Sequence, residues 1–325
     1  MNSFGRLFKV EIFGESHGKV IGALIDGCPP GIDIKVEDFI PDLNRRKPGA
    51  KGTSFRIEDD VPLIKSGVYY DKTTGSPILI IFENKNIKST DYNFNGFHRP
   101  GQADFVASKK FKGFNNPLGS GHFSGRLTLG IVAAGIVAKK IIPEIKFSSK
   151  ILLAGGTTEY EVLIEKIQSE GDSIGGVIEC RINNVPIGLG EPFFDSVESV
   201  ISHIIFSIPG AKAIEFGEGL KSAYARGSEF NDVFVDKNGK TKTNNAGGIN
   251  GGITNGNEIV LRVWFKPASS ILKKQTTYNF ISNEISDFEI IGRHDACYVL
   301  RAPVIVENAV AIALADLFLI QKSIL

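Results

Sequence analysis

Residues 304–321 constrain the fold of this chain more than any other stretch. They read as a helix that is apolar nearly all the way round, and a helix without a polar face is a buried one. Residues 126–142 form a second apolar helix, whose Ala and Gly residues permit close packing and which Pro143 ends. Strand-like stretches accompany them: 8–13 and 20–25 on either side of Gly14-Glu15-Ser16-His17-Gly18, 77–83 as a buried strand, then 173–182 and 258–265. Residues 35–47 read as a helix disrupted by Pro41, and 159–169 as an amphipathic helix stopped by Gly171. These elements interleave without the steady strand–helix–strand rhythm of a doubly wound sheet. No low-complexity linker separates them, so one domain spanning residues 1–325 is expected.

Composition removes several function classes. With 37 Lys+Arg against 36 Asp+Glu, the formal charge of +1 offers no global field to hold a polyanion, which argues against a nucleic-acid binder. Uninterrupted apolar runs such as 77–82 fall far short of the roughly 20 residues that cross a bilayer, and the N-terminus lacks the layout of a signal peptide. Cys28, Cys180 and Cys297 are odd in number and widely spaced, so no disulfide framework is expected and a cytoplasmic location is. The 36 glycines matter because they cluster, notably at 119–125 and 246–256.

Gly14-Glu15-Ser16-His17-Gly18 matches the nucleophile elbow of serine hydrolases in form only. That elbow needs a helix after the serine, and a strand-like segment follows here. His17 is the more informative residue, a titratable group on a tight turn between two strands. The run Gly119-Ser120-Gly121-His122-Phe123-Ser124-Gly125-Arg126 leads straight into an apolar helix. Backbone N–H groups at a helix start, with a serine hydroxyl and an arginine, suit a phosphate, although the run is neither a dinucleotide fingerprint nor a Walker loop. Lys266-Pro267-Ala268-Ser269-Ser270 offers a cation and two hydroxyls after a strand. Arg293-His294-Asp295 concentrates cation, base and acid, while Arg45-Arg46-Lys47 with Lys51 and Arg56 forms a local basic patch. The histidines and cysteines show no metal-ligand spacing, and His203, in an apolar run, is expected in the core or at an interface. Taken on their own, these residues suggest a site for phosphorylated ligands and leave the reaction open.

Eight motifs, in order, go further. Phe13-Gly14-Glu15-Ser16-His17-Gly18, Asp26-Gly27-Cys28-Pro29-Pro30-Gly31, Arg45-Arg46-Lys47-Pro48-Gly49 and Arg99-Pro100-Gly101-Gln102-Ala103-Asp104 resemble the chorismate synthase family. So do Gly188-Leu189-Gly190-Glu191-Pro192, Asn245-Ala246-Gly247-Gly248-Ile249, Lys266-Pro267-Ala268-Ser269-Ser270 and Gly292-Arg293-His294-Asp295. The likeness runs from Phe4 to about Leu317 and is loose only over 144–172, which reads as a shortened surface segment. It implies an α+β fold with helices sandwiched between antiparallel sheets, assembled as a homotetramer.

The same resemblance implies a phosphate-eliminating lyase of the shikimate pathway. It would convert 5-enolpyruvylshikimate 3-phosphate to chorismate and phosphate by 1,4-elimination, using reduced FMN although the net reaction is redox-neutral. His17 corresponds to the histidine that protonates the leaving phosphate, help worth typically about 10²–10⁴ in rate. Asp295 corresponds to the carboxylate of proton removal. His122, Phe123, Ser124, Asn245, Ala246, Gly256, Lys266, Pro267, Ala268, Ser269, Ser270 and Arg293 correspond to the flavin site, and Arg46 with Lys51 to the substrate region. At the position of a second catalytic histidine this chain carries Gln102, which hydrogen-bonds but holds no proton or positive charge. The resemblance therefore implies an attenuated enzyme, with a flavin- and anion-binding protein that has lost catalysis as the alternative. Some family members reduce their own flavin with NADPH. No dinucleotide fingerprint signals that here, so an external flavin reductant is expected, with no metal, nucleic acid or membrane as partner.

Overall fold

A computed structural model describes residues 2–49, 51–53, 58–85, 94–290, 292 and 294–324. Two antiparallel sheets enclose a pair of central helices. The first sheet contains β1 (Ser3–Phe4), β2 (Lys9–Gly14), β3 (Val20–Asp26), β4 (Leu63–Ser66) and, after a small hairpin of β5 (Val68–Tyr69) and β6 (Lys72–Thr73), β7 (Ile78–Glu83), in the spatial order β1-β2-β3-β7-β4. The second contains β8 (Lys146–Ala154), β9 (Gly176–Asn183), β10 (Ala211–Phe216) and, after the hairpin of β11 (Ile249–Asn250) and β12 (Ile253–Thr254), β13 (Ile259–Phe265), in the order β10-β13-β9-β8. A separate hairpin joins β14 (Gln275–Asn279) to β15 (Glu284–Phe288).

Alternation along the strands sets which face meets the helices. In β7, Ile78, Ile80 and Phe82 are buried; in β9 and β13, Ile178, Cys180 and Ile182 line up with Ile259, Leu261 and Val263. The helices are α1 (Ile40–Arg46), α2 (Asp104–Lys110), α3 (Thr128–Ile141), α4 (Tyr160–Ser169), α5 (Val197–Ile205), α6 (Gly227–Phe230) and α7 (Ala302–Ile324). α3 lies on β2, β3 and β7, α7 lies on β8 and β9, and the two helices pack against each other. This is the helix sandwich expected from the resemblance, with a core continuous across both sheets.

Two glycines of α3 explain how the layers come so close. A Cβ on Gly130 would stand 2.9 Å from the Gly22 carbonyl oxygen of β3, and one on Gly135 would stand 2.3 Å from Asn308 Cβ of α7. α7 has the length and composition to cross a membrane, but 78% of its most apolar stretch is buried inside the protein, which marks a core helix. Its Asp316 also pins the N-terminal loop, accepting from the N–H groups of Leu7 and Phe8, each at 2.8 Å.

Several local expectations change. Pro41 does not break a helix interior; it sits at the start of α1, after a 3₁₀ turn over Val36–Phe39, where a missing N–H costs nothing. The stretch 144–172 is more than a surface segment, because it supplies β8, an edge strand of the second sheet, as well as α4. His203 is exposed rather than in the core, meeting Phe4 edge-on at 5.3 Å.

Candidate active site

The site lies where the turn after β2 meets the glycine-rich run before α3. Gly18 N–H donates to the Glu15 carbonyl at 3.0 Å, closing a tight turn that carries Ser16 and His17. Residues 119–121 of the glycine run all take left-handed backbone conformations, with φ of 57° at Gly119, 69° at Ser120 and 50° at Gly121. That folds the run under the turn, and Ser16 N–H reaches the Gly121 carbonyl at 3.0 Å. Glycine is needed at 119 for space as well as conformation, since a Cβ there would sit 2.7 Å from both Cε1 and Nδ1 of His17. His17 is thereby buried, with 9% of its surface exposed.

At the far end of the same glycine run, beside Ser124 and Gly125, is a chamber of about 170 Å³ whose walls include Arg46, Asp60, Arg126, Asp295 and Arg301. Arg46 comes from the end of α1 and is 1% exposed. Neighbouring Arg45, about 100° further round the helix, turns away instead to form a two-point bond with Glu307 of α7 at 2.7 Å for each contact. Asp60, itself left-handed at φ 50°, accepts from Arg46 at 3.2 Å and from Arg126 at 3.0 Å. Burial, together with the nearby cations Arg301 and Arg126, lowers the Arg46 guanidinium from its usual value against the opposing pull of Asp60. Its Nε is a buried donor that finds no partner among the described residues, as expected of a group waiting for an anion. The helix start is equipped to match: Ser124 Oγ accepts from Arg126 N–H at 3.3 Å, and α3 directs its positive end at the chamber.

A second cavity of about 240 Å³ adjoins the chamber through Ser124, Gly125, Asp295 and Tyr298, which line both. Its other walls include Gln102, Ser120, Phe123 and the whole run Lys266–Ser270. Lys266 Nζ donates to the Gly101 carbonyl at 2.5 Å and to Ser269 Oγ at 2.6 Å. Burial, reinforced by Lys212, holds its ammonium below the usual lysine value. Arg99 spans the cavity floor, bonded to Asp104 at 2.7 Å, Ser120 at 2.9 Å and Ser270 at 3.1 Å. Asp295 is aimed by Arg301, whose guanidinium donates at 3.2 Å and which also ties to the Arg46 carbonyl at 3.0 Å. Tyr298 donates its hydroxyl to the Pro209 carbonyl, and burial pushes that hydroxyl far above the usual phenol value, so it stays neutral.

The structure therefore brings together Arg46, Gln102, Phe123, Ser124, Asp295 and the Lys266–Ser270 run, including Pro267 and Ala268, around the two cavities; His17 lines neither and adjoins the second through Gly119, which does line it. Gln102 donates to Ser120 Oγ at 3.3 Å and stands between this cavity and a larger, mostly apolar one of about 590 Å³. His122 lines only the latter, its Nδ1 donating to the Gly14 carbonyl at 2.9 Å. Lys51 is on the surface, paired with Glu165 of α4 at 2.7 Å. Asn245 and Ala246 are held by Asp232, which accepts their N–H groups at 2.7 and 2.9 Å, and neither they nor Gly256 line the two cavities. Arg56 and Arg293 lie outside the described residues. Sequence reasoning assigned no role to Asp60, Tyr298 or Arg301. Each is a single polar residue in an unremarkable context, and only the fold carries it to the site.

Comparison with known proteins places the chain in a family. The family model described as "Chorismate synthase" matches residues 8–319. A chorismate synthase of Chitinophaga pinensis is 55% identical over 324 residues, covering 99% of this chain and 98% of that protein. One from Thermococcus gammatolerans is 40% identical, with 98% of each chain covered. A solved structure titled "Crystal Structure of Chorismate Synthase" superposes with a TM-score of 0.76 at 27% identity, covering 98% of this chain and 93% of that one. A family match across nearly the whole length, relatives aligned end to end and a shared fold leave one conclusion: the chain belongs to the chorismate synthase family.

Proposed function

We propose that this chain converts 5-enolpyruvylshikimate 3-phosphate to chorismate and inorganic phosphate, the last common step toward the aromatic amino acids, with reduced FMN as cofactor. The carrying observation is that Asp295 lines both the arginine chamber and the adjoining cavity. A carboxylate so placed reaches a substrate on one side and a cofactor on the other. The elimination breaks the allylic C–O bond to phosphate and a C–H bond across the ring, and forms a new ring double bond with no net oxidation. Reduced flavin, when bound, supplies electron density that eases the departure of phosphate.

The residues divide this work. Arg46, Arg126 and Arg301 bind the anionic groups of the substrate, and α3 adds its positive end. His17 gives a proton to the departing phosphate, and Asp295, oriented by Arg301, takes the ring proton. The second cavity suits the cofactor: it offers an aromatic wall at Phe123 and Tyr298, donors at Lys266, Ser269 and Ser270, and a glycine run that lets backbone approach closely. Gln102 and Ser124 would complete that slot by hydrogen bonding. Asn245, Ala246 and Gly256 would serve only from a neighbouring copy, which fits the homotetramer we propose. We also read the chain as one domain, on the ground of its continuous core, and as dependent on an external flavin reductant in the cytoplasm.

Anaerobic incubation of the protein with 5-enolpyruvylshikimate 3-phosphate and dithionite-reduced FMN tests the reading. Phosphate and chorismate released in equal amounts are expected. FMN binding without phosphate release would leave the binding-only alternative standing instead.

A further inference from the structure

Asn84 follows the last residue of β7, and its N–H continues the ladder by donating to the Lys19 carbonyl at 3.1 Å. Its side chain is buried, with 9% exposure. Both hydrogens of the amide are used: Nδ2 donates to the Gly18 carbonyl at 2.8 Å and to the Glu15 carbonyl at 3.1 Å. The amide oxygen accepts from Arg126 Nε at 2.6 Å. The partners fix the orientation of the amide, since two carbonyls require donors and a guanidinium requires an acceptor. Those carbonyls are the two ends of the turn that carries His17, and Arg126 lines the chamber.

We infer that Asn84 is a positioning residue for the elimination, one planar amide that holds the His17 turn at a set distance from Arg126. The inference rests on the proposed reading of His17 as proton donor to the phosphate. A guanidinium that binds the substrate and an imidazole that must reach its leaving oxygen belong to different chain segments, one at the start of α3 and one after β2. Asn84 is bonded to both, while Asp60 takes Arg126 from the other side. Asparagine is suited to this in a way other residues are not. Aspartate keeps the acceptor and lacks both donors, and alanine has neither.

The two substitutions therefore separate the two arms. Asn84→Asp retains the bond to Arg126 and sets a carboxylate oxygen against two carbonyls, so the turn loosens. A second-layer loss of this kind is expected to lower kcat about 10–100-fold with KM for 5-enolpyruvylshikimate 3-phosphate within about twofold. Asn84→Ala is expected to lower kcat similarly and also to raise KM by about tenfold, because the charge-assisted bond to Arg126 is lost as well. The fall of activity with rising pH, which reports the acid, flattens in both variants; loss of stability alone does not alter it. Rates are measured anaerobically with reduced FMN and referred to folded protein counted by circular dichroism. Asn84→Asp with unchanged kcat and pH profile, or kcat and KM moving in step in both variants, overturns the inference while wild-type turnover keeps the proposed function. Absence of turnover in the unsubstituted protein removes both.

Discussion

Substituting Gly119 by alanine gives a direct measure of how far catalysis depends on the placement of His17. The new Cβ would lie 2.7 Å from Cε1 and Nδ1 of the ring and 2.9 Å from Ser16 Oγ. Carbon contacts settle near 3.5 Å, so the ring must retreat by about 0.8 Å or the glycine run must give way. The run has little freedom to do so. Ser16 N–H holds Gly121 at 3.0 Å, and Arg99 and Gln102 both bond to Ser120. The ring is therefore the part that moves. Misplacing a catalytic group by about 1 Å costs on the order of 10²-fold in rate, and that is the expected fall in kcat. KM should stay nearly constant, because the arginines of the chamber do not touch Gly119. Alanine at φ 57° also carries a left-handed penalty of roughly 1–2 kcal/mol, which lowers Tm by a few degrees. Phosphate release under anaerobic conditions and a thermal melt read the two effects separately. A variant that melts lower yet keeps kcat within about twofold refutes the reasoning: His17 would then not be the acid, or this contact would not place it.

Three further outcomes follow from the geometry. Gln102→His restores a group able to carry charge beside Ser120, and turnover with reduced FMN should rise by about tenfold, the worth of a charge-assisted contact; unchanged turnover would show that the histidine's absence is not limiting. Burial lowers Arg46 from its usual value but a guanidinium stays charged across the ordinary range, so affinity for the multiply anionic substrate should hold to about pH 10 in the wild type. In Arg46→Lys the same burial acts on a weaker base, so KM should climb at lower pH than in the wild type, as steady-state kinetics from pH 7 to 10 would reveal. Gly135→Ala places a Cβ 2.3 Å from Asn308 Cβ and forces α3 from α7, at a cost of about 1–3 kcal/mol or more in stability, read as a lower midpoint of urea denaturation. An unshifted midpoint would mean that the helices do not cross there.

The two apolar helices, several of the strands and the anion-binding character of the glycine run were readable in the amino-acid sequence. Period, composition and helix-start chemistry are local properties, and α3, α7, β3, β7 and β13 obey them. The family resemblance was equally legible, since eight ordered motifs carry it. Beyond those limits, only the tertiary structure decides. Arg45 and Arg46 are indistinguishable as letters, yet one helical step sends the first to Glu307 and the second into the chamber. Lys51 and Asp295 are both charged residues within a few positions of a glycine, and one pairs with Glu165 on the surface while the other faces two cavities. Asn84 sits 67 residues after His17 and 42 before Arg126, with nothing in its neighbourhood to mark it. What joins the three is the pairing of β7 with β3 and the docking of α3 beneath them. Hydrogen bonds between residues so far apart depend on how the layers stack, and that stacking is set by the whole core rather than by any local run of sequence.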